Sequence, residues 1–159
     1  MKIRITSGLG TGPTPLAAFD AALRSAGVEN YNLIPLSSVI PPKAVLERGP
    51  ALSPVREYGH RLYVVISRQE TQCAGEEAWA GLGWTQEPDT GRGLFVELHG
   101  KTRSEVQQAI DATLDAMKAA RSPDYEYGKN ESLLVGGRCE GEPLCALAIA
   151  IYSSEGWRD

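Results

Sequence analysis

The sequence predicts a mixed, layered α/β fold with a mostly antiparallel sheet covered by helices. Three observations carry this. Strand-like apolar runs recur along the chain, two amphipathic helical patterns are interspersed with them, and the last pair of runs reads as a hairpin. With 159 residues, 42% of them hydrophobic, the chain fits one domain spanning 1–159.

Lys2 to Ser7 alternates like a strand, and Gly8-Leu9-Gly10-Thr11-Gly12-Pro13 reads as a flexible turn. Thr14-Pro15 supplies an N-cap and a proline at the first helical position. Leu16, Phe19, Leu23 and Ala26 then form a helical stripe that Gly27 ends. Tyr31 to Leu36 is a second strand, and Pro41-Pro42 ends the strand that follows. Residues 43–58 read as loop, Arg61 to Ser67 as a strongly apolar strand, and Glu76 to Leu82 as a short helix. Gln86 to Gly93 is rich in turn residues and precedes a strand at Leu94 to Leu98. Ser104 to Ala120 is the clearest helix, with Val106, Ile110, Leu114 and Met117 on one face. The closing hairpin pairs Ser132–Cys139 with Leu144–Tyr152 around Glu140-Gly141-Glu142.

A net charge of −4 argues against nucleic acid or an anionic membrane as the main partner, and mildly suits cationic ligands. Cys73, Cys139 and Cys145 do not form a disulfide framework, and with only His60 and His99 beside them they show no zinc-ligand spacing. The alternating start lacks the apolar run of a signal peptide, and Leu144 to Tyr152 is too short to span a bilayer. The expectation is a cytoplasmic protein without a metal. Gly8-x-Gly10-x-Gly12 lacks the remainder of a phosphate-loop or dinucleotide fingerprint.

The informative segment is Asn32-Leu33-Ile34-Pro35-Leu36-Ser37-Ser38-Val39-Ile40-Pro41-Pro42. A polar Ser-Ser pair lies between two apolar runs, with an asparagine before it and a double proline after it. Read from residue types alone, this is a strand ending in a bulge or turn. The segment nevertheless resembles the processing site of the pyruvoyl-dependent arginine decarboxylases. Thr14-Pro15-Leu16-Ala17-Ala18-Phe19-Asp20-Ala21-Ala22-Leu23 resembles that family's first helix, and Gly93-Leu94-Phe95-Val96-Glu97-Leu98-His99-Gly100 its catalytic-glutamate strand. Order and spacing agree, so the resemblance covers most of the chain.

That resemblance implies self-cleavage between Ser37 and Ser38 into fragments 1–37 and 38–159. Ser38 becomes a covalent pyruvoyl group, which takes L-arginine as a Schiff base and yields agmatine and carbon dioxide, without metal or pyridoxal phosphate. Such chemistry feeds polyamine synthesis or acid resistance. It also implies a homotrimer, or a multiple of one, with sites between neighbouring subunits. Asn32 is implied to polarise the cleavage site, Glu97 to return a proton to carbon, and Asp20 to grip the guanidinium. From residue type alone, a turn or strand-end asparagine is the better reading of Asn32 and a solvent-facing strand residue the commoner reading of Glu97, while an ordinary polar helix residue nearly matches the substrate role for Asp20. Two other functions stay open: a pyruvoyl decarboxylase of another amino acid, and an uncleaved, non-catalytic trimer that binds an amine.

Overall fold

A computed structural model describes residues 1–51 and 53–158. In chain order the elements are β1 (Lys2–Thr11), α1 (Pro15–Ala26), β2 (Asn32–Pro35), β3 (Val39–Ile40), β4 (Val45–Arg48), β5 (Arg61–Thr71), β6 (Glu77–Gln86), β7 (Gly93–Gly100), α2 (Arg103–Ala119), β8 (Glu131–Arg138) and β9 (Leu144–Glu155). A short 3-10 turn occupies Val55–Glu57. The α/β class holds, but the strands form two sheets rather than one. A five-stranded sheet runs β2-β5-β9-β1-β4 and a four-stranded sheet runs β3-β7-β6-β8.

The layers follow from which face of each element is apolar. Ile3, Ile5, Val65, Ala148 and Ala150 of the five-stranded sheet meet Leu82, Trp84 and Phe95 of the four-stranded sheet in a core between the two. On the outer face of the five-stranded sheet, Leu62, Val64, Leu147 and Ile149 receive Ala18, Ala22, Leu23 and Ala26 of α1. On the outer face of the other sheet, Leu94 and Val96 receive Val106, Ile110 and Leu114 of α2. The order is helix, sheet, sheet, helix.

Both helices begin as their sequence dictates. The Thr14 hydroxyl accepts from the Ala17 N–H at 3.2 Å, and Gly27 closes α1 in the left-handed conformation at φ +78°. The Thr102 hydroxyl caps α2 by accepting from the Glu105 N–H.

Four expectations are corrected. Gly8 to Thr11 is strand, not turn: β1 continues beneath α1, and a β-carbon on Gly8 or Gly10 would come within 2.0 or 2.3 Å of the Ala22 backbone. These glycines serve close approach, not flexibility. Residues 45–48 leave the expected loop to pair in parallel with β1. Glu76 to Leu82 is not a helix. Its alanines and glutamates favour one locally, but Leu82 and Trp84 alternate into the inter-sheet core while Gly81 and Gly83 make room for α2. Finally, β8 and β9 form no hairpin. β9 is flanked on both edges by β1 and β5, so β8 crosses to the other sheet and pairs with β6.

Candidate active site

The Ser-Ser pair lies where the chain changes sheet. β2 runs along the edge of the five-stranded sheet in parallel with β5, and just past it the Leu36 N–H still donates to the Val64 carbonyl at 2.8 Å. Three residues later Val39 pairs with Leu94 of β7 in the four-stranded sheet. Ser37 and Ser38 make the crossing. Ser38 holds φ at +63°, a left-handed conformation that its β-carbon disfavours. The Phe95 N–H donates to the Ser38 carbonyl oxygen at 2.9 Å.

Glu97 meets this corner from β7. Strand alternation puts Leu94 and Val96 against α2, so Phe95 and Glu97 face the space between the sheets. The Ser38 hydroxyl lies 2.7 Å from both carboxylate oxygens of Glu97. With one proton to give, it shares that proton between two acceptors. The two residues are 59 positions apart in sequence.

Two groups that the sequence did not point to complete the corner. Tyr152, near the end of β9, donates its hydroxyl to the Val39 carbonyl at 2.9 Å. Its ring stands edge-on to Phe95, with centroids 6.3 Å apart, and Phe95 in turn meets Trp84 edge-on. Burial, helped by the charge of Glu97, pushes the Tyr152 phenol well above its ordinary pKa, so it keeps its proton and donates. The second group is the Phe95 N–H, which no side-chain pattern reveals. Tyr152 closes the alternating run of β9, but nothing in sequence ties it to residue 39.

Within one chain, Asn32 and Asp20 stand apart from Ser38. The Asn32 amide donates to the Gly59 carbonyl at 2.7 Å, and about 13 Å of extended strand separates its Cα from that of Leu36. Among the described residues, none donates to the Ser37 carbonyl. Asp20 is exposed on α1 and accepts from Arg24 at 2.5 Å, on the far side of the five-stranded sheet from Glu97. Among the described residues no group of three or more His, Cys, Asp or Glu side chains gathers to hold a metal. Burial pushes the Cys145 thiol up to about 12, which removes it as a nucleophile near neutral pH.

A family model for pyruvoyl-dependent arginine decarboxylase matches residues 2–156. The chain belongs to the pyruvoyl-dependent arginine decarboxylase family. A protein of that name from Halobacterium salinarum is 45% identical over 155 residues, covering 95% of this chain and 93% of its own length. Pyruvoyl-dependent arginine decarboxylase 1 of Methanosarcina mazei is 34% identical over 137 residues, covering 83% of this chain and 78% of its own. In Archaeoglobus fulgidus the protein of the same name is 34% identical over 106 residues, with 65% and 67% coverage. The match with the pyruvoyl-dependent arginine decarboxylase family takes in both sheets and both helices, so the Ser37–Ser38 crossing and the β7 carboxylate lie inside it.

Proposed function

We propose that this chain cuts itself between Ser37 and Ser38 and then decarboxylates L-arginine to agmatine and carbon dioxide. The observation that carries the reading is the Ser38 hydroxyl seated 2.7 Å from both oxygens of Glu97, on a strained residue at the sheet crossing of a chain in this family.

The corner suits the formation of a pyruvoyl group. Glu97 takes the hydroxyl proton, and Ser38 Oγ attacks the Ser37 carbonyl carbon. The peptide C–N bond breaks as an ester forms, and the freed Ser38 nitrogen takes the proton that Glu97 had accepted. Loss of the Ser38 α-proton expels the Ser37 carboxylate and leaves a dehydroalanine. Hydrolysis by one water then gives the ketone and ammonia. Once formed, the pyruvoyl group supplies the electron sink that pyridoxal phosphate provides in other decarboxylases.

The remaining roles belong to the chain's own side chains. Glu97 holds a proton beside residue 38 and delivers it to the substrate carbon. The Phe95 N–H holds the carbonyl oxygen of residue 38 and meets charge that develops there. Asn32 polarises the Ser37 carbonyl, and Asp20 binds the guanidinium through its two carboxylate oxygens. Neither reaches Ser38 within one chain, so both act from a neighbouring subunit of a homotrimer. The exposed Ile34 on β2 and Val39 on β3, at the two sheet edges beside Ser38, support a neighbour covering this side. The three free thiols suit a reducing, cytoplasmic setting. Among the described residues no helix is long and apolar enough to cross a membrane.

Intact-mass spectra under denaturing conditions test the reading on three chains. The parent is expected as two fragments split after Ser37, the larger lacking an N-terminal amine. Ser38→Ala is expected as one chain, and Glu97→Gln as mostly uncut. A parent that stays whole at 17.1 kDa overturns self-cleavage and favours an amine-binding protein. A cut parent that releases carbon dioxide from another amino acid but not from arginine overturns the substrate alone.

A further inference from the structure

We propose that Tyr152 is a positioning residue for both the cut and the decarboxylation, tying the first residue after the cut to the body of the five-stranded sheet. The inference rests on the function proposed above and adds a residue to it.

The first observation is a break in strand register. β5 and β9 pair residue for residue from Thr71↔Leu144 to Val64↔Ile151, and then Tyr63 pairs with Ser153. Tyr152 is the extra residue of a β-bulge. A bulge leaves its extra residue out of the ladder, free of the pairing its neighbours make. The side chain keeps the inter-sheet face of Ala148 and Ala150, where the ring lies against Phe95 and the hydroxyl reaches the Val39 carbonyl.

The second observation is how little else holds Val39. β3 is two residues long, sits at a sheet edge and, among the described residues, pairs with β7 alone; Ile40 is buried in the core, whereas Val39 is exposed. Before the cut, the covalent chain through Ser37 to β2 anchors it. After the cut, residue 38 is a chain end, and chain ends fray unless they are tied down. Two hydrogen bonds then fix residues 38 and 39 from opposite sheets: Phe95 N–H to the residue 38 carbonyl, and Tyr152 O–H to the Val39 carbonyl. The tyrosine bond is the one a side-chain substitution can remove. In the precursor the same bond holds Ser38 over Glu97.

Tyr152→Phe keeps the ring and deletes the hydroxyl. Tyr63→Phe is the control, since Tyr63 donates to Glu155 at 2.8 Å on the same sheet and takes no part in the site. Conversion of freshly translated precursor to fragments is timed by intact mass, and kcat and KM for arginine are measured on fully cut protein. One net hydrogen bond corresponds to about a two- to tenfold effect. Tyr152→Phe is expected to slow the cut by that factor and to lower kcat with KM for arginine unchanged, while Tyr63→Phe matches the parent in both. Cutting by Tyr152→Phe at the parental rate overturns the inference. So does equal slowing by Tyr63→Phe, or a loss confined to KM. A parent that itself stays whole overturns the functional reading, and this inference with it.

Discussion

At φ +63°, Ser38 holds a conformation that costs a residue with a β-carbon on the order of 1–3 kcal/mol. That torsion is defined by the bond between residues 37 and 38, so breaking the bond abolishes it. The strain raises the uncut chain and not the fragments, and so favours the proposed cut. Asp20 sits at the opposite extreme, exposed on α1 and paired with Arg24 one turn away. Such a surface pair contributes a few tenths of a kcal/mol. Asp20→Asn is therefore expected to leave the melting temperature unchanged. If a neighbouring subunit's Asp20 grips the guanidinium, KM for arginine rises about ten- to hundredfold, the worth of a charged hydrogen bond. An unchanged KM assigns substrate selection to another group. The pairing of Ser38 with Glu97 was foreshadowed by the family resemblance alone, since by residue type the first is a strand-end serine and the second a solvent-facing strand residue. Tyr152 was not, because alternation sets its face but nothing in residue type ties it to a carbonyl 113 positions away.

The pairing of β1 with α1 decides how the middle of the fold is spaced. Gly8 and Gly10 on the strand face Ala22 on the helix, and nothing larger fits between the two backbones. Gly10→Val in the uncut Ser38→Ala background is expected to destabilise the chain on the order of 3 kcal/mol. Denaturant unfolding measures it, and an unmoved midpoint would show that α1 docks elsewhere. The same contact explains why the glycine run read as a turn. Glycine signals a turn when its neighbours in sequence decide, but here a helix packed across it decides. The short helix expected at Glu76 to Leu82 failed for the same reason. Its local propensity gave way to two pairing strands and a core. Helix caps are set within four residues, so both helices were located to within a residue or so.

Across the whole molecule, the proposed cut divides the fold without dividing its core. Fragment 1–37 carries β1, α1 and β2, yet β1 lies between β9 and β4 of the other fragment and β2 lies on β5. Ile3, Ile5, Ala18, Ala22 and Val28 stay buried against fragment 38–159. The fragments are expected to remain associated until the protein is denatured. Refolding of the cut protein is then expected to slow on dilution from its first step, whereas Ser38→Ala should regain its far-UV circular dichroism at a concentration-independent rate. Equal dilution dependence in both would show that assembly of subunits, not reunion of fragments, limits refolding.

The sheet crossing has a consequence for the order of events in the life of each molecule. Ser38 and Glu97 meet through the pairing of β3 with β7, strands that lie more than fifty residues apart in the chain. A chain with the wrong strand order has a serine and a glutamate but no reaction between them. Under the proposed self-cleavage, the finished structure issues the cofactor to itself, and possession of it would certify that the chain folded correctly at least once.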